Sequence, residues 1–185
     1  MTGKRSEWFD WVKALGIAAA IAIIIRVFLF SPVIVDGPSM LPTLHDGDYL
    51  IVNKISYTIG DPERFDVVVF HATETRNYIK RVIGLPGEHV EYKDEKLYVN
   101  GKTVNEPFIQ DRVNQLNDNQ TYTFDFSLED LPGGYQKIPE GYVLVLGDNR
   151  NNSTDSRRLG LISIDRIVGE AQFKIWPPSR IGTVN

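Results

Sequence analysis

The stretch that decides the fold reads YIKRVIGLPGEHVEYKDEKLYVNGKTV and runs from Tyr78 to Val104. It alternates short β-branched and aromatic runs with turn signals, a pattern typical of successive antiparallel strands. An LPGE turn separates its first two runs, and Asn100-Gly101 joins its last two as a two-residue hairpin. This stretch therefore predicts a sheet built from short, sequential strands.

Similar runs occur on both sides of that stretch, bounded by turns such as DGD and PEG. They are Val33–Val35, Tyr49–Val52, Asp66–Phe70, Tyr142–Leu146 and Gln172–Trp176. No amphipathic helix longer than about ten residues is evident at the helical period. We therefore expect a mainly β domain of curved, antiparallel sheets. The polar segment Gln110–Gln136 lacks a clear period, and we interpret it as an excursion from the sheet, such as a long hairpin with mobile parts.

The sequence before Pro32 has a different texture. Residues 14–30 form an apolar run of 17 residues with Arg26 as its single charge, which is at the short end of a membrane-spanning helix. Aromatic and basic residues precede the run, which predicts a cytoplasmic N-terminus. We expect a cytoplasmic N-terminus over 1–13, a transmembrane anchor over 14–30 and an extracytoplasmic β-rich catalytic domain over 31–185. A removable signal peptide and a buried helix of a soluble domain are the alternatives for the run.

The composition excludes several classes of function. The chain contains no cysteine, which excludes disulfides, thiolate metal sites and a cysteine nucleophile. Its net charge of −4 argues against nucleic-acid binding as the main function. The HDGD turn from His45 to Asp48 could suggest a cation site, but Asp-Gly pairs are far more often plain turns. We therefore expect neither a metal nor another cofactor.

Ser39 is the first candidate for chemistry, in the segment DGPSMLPTL. Gly37 and Pro38 fix its approach and Pro42 stiffens its exit, which would hold the hydroxyl in one place, as a nucleophile requires. The segment is not a nucleophile elbow, because Leu41 stands where an elbow needs glycine. A simple turn serine is the alternative.

Lys80 is the candidate base for that serine. The three histidines lie in turn or surface contexts, whereas Lys80 lies mid-strand between Ile79 and Val82. Because side chains alternate along a strand, one face must bury a cation or line a cleft. Desolvation there would lower the lysine pKa from about 10.4 towards about 7–8, which suits a general base. An edge-strand lysine that extends to water is the alternative.

A polar loop, GDNRNNSTDSRRLG (Gly147–Gly160), follows the apolar strand Tyr142–Leu146. Its asparagines and serines could simply cap its own turns. Its charged side chains could instead form a bidentate ion-pair network that holds a site rigid. These side chains are Asp148, Arg150, Asp155, Arg157 and Arg158.

Three segments follow the apolar N-terminal run in the order PSMLPTL, YIKRVIGLPGE and GDNRNNSTDSR. Together they resemble the sequence boxes of the bacterial type I signal peptidases. The short chain is similar to the Gram-positive members. The resemblance implies a membrane-bound serine endopeptidase with a Ser/Lys dyad, in which Ser39 is the nucleophile and Lys80 the general base. Ser153 matches the serine that orients the lysine, and Asp155 and Arg157 match a supporting ion pair.

The resemblance also implies the substrate and the fold. The substrates would be secretory preproteins, cleaved after a small-x-small (Ala-x-Ala) motif, on a β-sheet fold of the signal peptidase and repressor-protease type. The peptide would add as a strand between two enzyme strands. By position, we expect the substrate-binding residues to be Val33, Val35, Gly37, Met40, Leu44, Tyr78 and Ile79.

The oxyanion hole shows one departure from the family pattern. Some members carry a serine two residues before the nucleophile, and its hydroxyl joins the hole. Gly37 occupies that position here. We therefore expect the backbone N–H of Ser39 to act as a donor, assisted by another backbone group or water.

Two other functions stay open. A self-cleaving Ser/Lys regulator would share the β core and the dyad, but it would need a soluble or DNA-binding arm in place of residues 14–30. A membrane-anchored, non-catalytic β module that binds peptides would not require Ser39 and Lys80. We expect secretory preproteins and membrane lipid as partners, and no nucleic acid.

Overall fold

A computed structural model of the chain describes residues 4–24, 30–117 and 120–184. Within these ranges, the strands are β1 Phe30–Ile34, β2 Tyr49–Asn53, β3 Val67–His71, β4 Asn77–Gly84, β5 Val90–Lys93, β6 Lys96–Val99, β7 Lys102–Val104, β8 Phe126–Ser127, β9 Tyr142–Leu146, β10 Ile162–Ser163, β11 Ile167–Trp176 and β12 Gly182–Thr183. The α-helices are α1 Lys4–Ile24, α2 Ser56–Ile59, α3 Pro107–Asn114 and α4 Ser156–Leu159. The predicted mainly β, antiparallel domain is confirmed.

The larger sheet has the strand order β1-β2-β11-β3-β4-β9-β10, with β12 beside β11. All of its pairs are antiparallel. The pairing of β11 with both of its neighbours contains register shifts, which allow this long strand to bend. One apolar cluster collects buried side chains from the segment after β1 and from β2, β3 and β11. The sheet therefore curls around this cluster, so that the segment after β1 approaches β4.

The smaller sheet has the order β7-β6-β5-β8. Its β6–β7 connection is the predicted two-residue hairpin, with Val99 paired with Lys102. Asn100 and Gly101 both have positive φ, 49° and 75°, as a type I′ turn requires. A second apolar cluster joins this sheet to the larger one, with Tyr92 and Leu97 against Ile83 and Leu144. The smaller sheet thus packs beside β4 and β9, the strands nearest the polar loop.

The segment Gln110–Gln136 differs from its predicted form. It is an excursion from the sheet, but not a long hairpin. Helix α3 continues into it from Pro107, where the fixed φ of proline suits the first helical turn. Farther on, β8 returns to pair with β5. Residues 118–119 lie outside the described part of the chain.

Helix α1 covers 21 residues, and its side chains from Trp8 to Ile21 are exposed. Among the helices in the described ranges, none combines the length and the apolar character needed to cross a membrane. The predicted anchor at 14–30 includes residues 25–29, which lie outside the described residues. Residues 1–3 of the predicted cytoplasmic segment and residue 185 of the predicted catalytic domain also lie outside the described residues.

Candidate active site

The side chains of Ser39 and Lys80, which are 41 residues apart in sequence, are in contact. Lys80 Nζ lies 2.7 Å from Ser39 Oγ and 2.7 Å from the carbonyl oxygen of Ile79. Ser39 lies in the turn that follows β1, and Lys80 lies in β4. Because heavy-atom separations of about 2.6–3.2 Å allow direct proton transfer, this pair can act as nucleophile and base.

Strand β4 leaves room beside Lys80 for another chain. Along Asn77–Arg81 it pairs with β3 on one side. On its other side, pairing with β9 begins only at Arg81. Within the described residues, the edge Asn77–Lys80 is therefore unpaired and borders the cleft. The side chains of Lys80 and Arg81 are both buried, and they lie on opposite faces of this strand. Each face therefore buries a cation, whereas the sequence pattern predicted a cation on one face alone.

Burial lowers the pKa of Lys80 to about 8, while the carboxylates of Asp155 and Asp148 partly oppose this change. The Tyr78 ring, 5.3 Å from Nζ, also favours the charged form. With a pKa near 8, roughly one molecule in ten carries a neutral amine at pH 7. Such an amine can accept the Ser39 proton near neutral pH.

Asn149 holds the backbone of the nucleophile segment. Its N–H donates to the carbonyl oxygen of Ser39 at 3.0 Å, and its side-chain amide donates to that of Pro38 at 3.1 Å. The sequence did not indicate this role, because an asparagine in a polar loop resembles any other turn-capping residue. Its position three residues after the buried strand β9 is the one signal that the sequence offers.

Gly147 allows the polar loop to approach Ser39 closely. A Cβ at this position would lie 2.5 Å from the Ser39 carbonyl oxygen and closer still to Ser153 Oγ. The Gly147 N–H donates to Asp155 Oδ2 at 3.0 Å. A side chain here would therefore push apart the nucleophile segment and the loop.

The Asp155–Arg157 ion pair is present as predicted. Arg157 donates from Nε and Nη2 to the two carboxylate oxygens of Asp155, at 2.9 and 2.8 Å, and its Nη2 also donates to the carbonyl oxygen of Arg150. Burial alone would raise the pKa of Asp155, but the hydrogen bonds and charge of Arg157 hold that pKa below its ordinary value. The carboxylate therefore stays ionised and fixes the loop around Ser153.

The sequence suggested that all the charged side chains of the loop pair with one another. The structure shows instead that Asp148 and Arg150 have partners outside the loop. Asp148 pairs with Arg81 of β4 through two hydrogen bonds of 2.9 and 2.8 Å. Arg150 pairs with Glu106, at 2.6 Å. Both pairs are buried, and each ties the loop to a different part of the fold. Within the described residues, the side chain of Arg158 makes no ion pair.

Ser153 lies beside Ser39 and Lys80 in the lining of the cleft. No hydrogen bond of normal geometry joins its buried Oγ to another described residue, but the hydroxyl lies close enough to Asp155 to help hold the pKa of that carboxyl below its ordinary value. The expected hydrogen bond between Ser153 and Lys80 is thus not formed in this structure, where Nζ instead uses the carbonyl oxygen of Ile79.

The cleft around the pair has a volume of about 630 Å³. Six of the predicted substrate-binding residues line it: Val33, Val35, Gly37, Met40, Tyr78 and Ile79. The structure corrects the expectation for Leu44, which is fully buried in the core behind Met40 and does not border the cleft. The lining also includes Ile34, Pro38 and polar side chains for which the sequence predicted no place in the cleft: Asp36, Arg76, Asn77, Asn151, Asn152, Thr154 and Arg158.

Gly37 lines the cleft with φ of +91°, a conformation that a serine would adopt only with strain. Its N–H donates to Asp46 Oδ1 at 2.8 Å and is therefore occupied. The N–H of Ser39 has no acceptor within the described residues. Ser39 thus offers the free backbone donor next to its own Oγ.

The HDGD turn has a structural role. Asp46 accepts the Gly37 N–H, and the buried Asp48 accepts from Arg180 Nε at 2.8 Å. Across the described ranges, no cluster of three or more histidine or acidic side chains is arranged to hold a metal ion.

Comparisons with known proteins identify the family of the chain. A family model described as signal peptidase, peptidase S26, matches residues 8–176. Signal peptidase I of Bacillus caldolyticus is 46% identical over 175 residues, covering 95% of this chain and 91% of that protein. Signal peptidase IB of Staphylococcus aureus (strain N315) is 44% identical over 176 residues, covering 94% and 92%.

A solved structure of a signal peptidase I is similar to this chain in fold. The crystal structure of a signal peptidase I from Enterococcus faecalis V583 matches with a TM-score of 0.56 at 40% sequence identity, covering 60% of this chain and 97% of that one. The family match includes the Ser39 turn, strand β4 and the whole polar loop. The resemblance seen in the three sequence segments is confirmed, and the chain belongs to the signal peptidase family, peptidase S26.

Proposed function

We propose that this chain is a membrane-bound serine endopeptidase that removes N-terminal signal peptides from secretory preproteins. The observation that carries the proposal is the 2.7 Å contact between Lys80 Nζ and Ser39 Oγ in an open cleft. The lowered pKa of Lys80 and the family of the chain support the same assignment.

In the proposed mechanism, the neutral Lys80 amine accepts the Ser39 proton while Oγ attacks the carbonyl carbon of the scissile bond. The backbone N–H of Ser39 donates to the oxyanion of the tetrahedral intermediate. Protonated Lys80 then gives its proton to the leaving amine, and the signal peptide stays as an ester on Ser39. Water, deprotonated by Lys80, hydrolyses this ester and restores both side chains.

Ser153 and the Asp155–Arg157 pair are proposed to support the base. A protonated lysine has three N–H donors, and two of those of Lys80 are used by Ser39 and Ile79. The Ser153 oxygen lines the same cleft and accepts no hydrogen bond within the described residues, so it is a suitable acceptor for the third, even if its own O–H is directed to Asp155. The ion pair would hold Ser153 in place through the short loop between them.

The substrate is proposed to bind as an added strand along the unpaired edge of β4, opposite the segment after β1. Alternate residues of an extended peptide point to one side, so the first and third residues before the scissile bond would face the same wall. The apolar side chains of Val33, Val35, Met40 and Ile79 line the cleft. Shallow apolar pockets of this kind favour small side chains, which accounts for an Ala-x-Ala motif.

The proposal includes the predicted anchor over residues 14–30, with residues 1–13 in the cytoplasm and 31–185 on the extracytoplasmic face. The exposed apolar side chains of α1, such as Trp8, Trp11 and Leu15, support burial in lipid. The first strand of the domain, β1, begins at Phe30, the last residue of this run. The cleft would then lie where a signal peptide leaves the bilayer.

An apolar sheet patch supports contact between the domain and the membrane. Ile34, Tyr49 and Trp176 are cross-strand neighbours on β1, β2 and β11. Together with Phe173, Ile175 and Ile181 they form the patch, and all six side chains are at least 39% exposed. Aromatic side chains in such a patch suit the membrane interface.

The test is cleavage of a purified preprotein that carries an Ala-x-Ala site, with the new N-terminus determined by mass spectrometry. We expect cleavage directly after the motif by the wild type, and a loss of at least about 10³-fold for Ser39→Ala and Lys80→Ala. The matched controls are Ser179→Ala and Lys93→Ala, which alter exposed residues. Circular dichroism would show that all variants are folded.

Each other outcome has a clear meaning. Full activity of Lys80→Ala would contradict the dyad. Cleavage of the chain itself, without cleavage of the preprotein, would indicate a self-cleaving regulator. Preprotein binding without cleavage would indicate a non-catalytic peptide-binding module.

A further inference from the structure

A second groove continues from the cleft on the other side of the polar loop. It has a volume of about 310 Å³ and is lined by the apolar side chains of Phe124, Phe126 and Leu131 and by basic side chains of the loop. Three residues border both spaces: Asn151, Ser153 and Arg158. The groove is therefore an extension of the cleft, separated from it only by one strip of the loop.

The junction between the two spaces includes Ser153, which is a neighbour of the nucleophile. A Cβ on Gly147 would touch both the Ser39 carbonyl oxygen and Ser153 Oγ, which shows that Ser39 and Ser153 are neighbours. The opposite end of the cleft is bordered by residues 33–36 and by Arg76–Ile79. An extended peptide that lies along β4 and reaches Ser39 therefore passes Ser153 and enters the groove.

Arg158 is the one charged side chain bordering the groove that has no partner within the described residues. Arg150 pairs with Glu106, and Arg157 with Asp155. The two acidic residues also have partners, because the carboxylates of Asp125 and Asp130 accept the backbone N–H groups of Asp94 and Ser127. Arg158 is exposed, and beside it Phe124 has 66% of its surface exposed.

We propose that this groove binds the first residues of the mature chain, on the leaving side of the scissile bond, and that Arg158 pairs there with an acidic side chain. The inference rests on the proposed function, since it names where the second half of the same substrate lies. The exposed ring of Phe124 supplies an apolar surface for a neighbouring residue of that segment. Acidic residues early in the mature chain would therefore raise the rate of cleavage.

The test uses peptides that are identical up to the Ala-x-Ala site and differ only by Glu or Lys at each of the first four mature positions. We expect the wild type to prefer Glu over Lys by about 5- to 20-fold in kcat/KM at one position or more, at low salt. Arg158→Glu should reverse that preference, and Phe124→Ser should raise KM with little change in kcat. Lys102→Glu, which makes the same charge change on the exposed β6–β7 hairpin, should leave the preference unchanged.

A second substrate separates binding of the mature segment from the chemistry. An ester of the same signal peptide with a small alcohol ends at the scissile bond, so the rate of Arg158→Glu relative to the wild type on this ester measures the effect of the variant on the cleft alone. We expect the variant to lose more on the Glu peptides than on the ester. Equal cleavage of the Glu and Lys peptides at all four positions would overturn the inference while leaving the proposed function intact. A loss for Arg158→Glu that is no larger on the Glu peptides than on the ester would also overturn the inference. If the wild type cleaves no more than Ser39→Ala, both fail together.

Discussion

Burial of Lys80 acts in opposite directions on stability and on reactivity. Its side chain is only 3% exposed, and burial lowers its pKa to about 8. An unfolded lysine keeps a pKa near 10.5, so the folded state binds its proton more weakly than the unfolded state. The weaker proton affinity makes Lys80 a base near neutral pH and destabilises the fold at the same pH.

We therefore expect Lys80→Met to stabilise the protein in a pH-dependent way. Below about pH 8 the wild type must hold a buried ammonium, which costs up to about 3 kcal/mol. Between about pH 8 and 10.5 the folded state has lost this proton and the unfolded state has not, so the wild type becomes more stable as the pH rises. Urea unfolding should show the variant more stable by about 2 kcal/mol at pH 7, with a smaller difference at pH 10. Identical stabilities at pH 7 would contradict a buried lysine with a lowered pKa.

At the level of elements, the loop Gly147–Gly160 is positioned by its surroundings. Asp148 reaches Arg81 in β4, and Arg150 reaches Glu106 just before α3. Asn149, between them, holds the nucleophile segment. Since buried ion pairs are costly to break, these contacts fix the loop against both sheets.

Gly147→Ala should separate the loop from the nucleophile. The added methyl group has no space, because it would meet the Ser39 carbonyl oxygen and Ser153 Oγ. We expect a loss of at least about 10²-fold in kcat/KM and a destabilisation of about 1–3 kcal/mol, measured by peptide cleavage and urea unfolding. The matched control is Gly182→Ala, where a Cβ meets nothing within 4 Å. Wild-type activity in Gly147→Ala would show that the close approach is not needed.

Local patterns predicted the elements but not their partners. The strands and the Asn100-Gly101 hairpin follow from alternation and turn chemistry, which are local properties. By contrast, Arg81 lies 67 residues from Asp148, and Glu106 lies 44 residues from Arg150. No local pattern in a single sequence shows that residues so far apart form ion pairs. Asp148 and Arg150 were therefore predicted, wrongly, to pair with other charged side chains of the loop.

The same limit applies to the candidate site. Ser39 and Lys80 were identified from their local settings and from the family resemblance, and the structure brings them into contact. Leu44 was assigned to the cleft because it lies close to Ser39 in sequence, but the turn after Met40 directs it into the core. Arg158 received no role in the substrate site, because only the packed fold shows that it borders the cleft.

For the whole molecule, the cleft and the apolar sheet patch meet at strand β1. Val33 and Ile34 both border the cleft, and Ile34 also belongs to the patch. A domain resting on lipid through this patch would hold its cleft near the membrane surface.

Trp176→Ser should therefore reduce cleavage of a preprotein bound to lipid vesicles by about 5-fold, because one aromatic contact with the interface is lost. Cleavage of a short soluble peptide should stay within about 2-fold of the wild type. The control is Tyr142→Ser, an exposed aromatic residue on β9, on the opposite part of the sheet. An equal loss on both substrates would argue against contact between the patch and the bilayer.

The pH dependence of kcat/KM for a peptide with an Ala-x-Ala site tests most directly whether Lys80 activates Ser39. We expect the rate to rise about tenfold per pH unit below an inflection near pH 8, because only the neutral amine of Lys80 accepts the serine proton. The substrate should carry no group that titrates between about pH 6 and 10. An inflection near pH 4–5 would instead indicate a carboxylate as the base and would contradict the Ser39–Lys80 dyad.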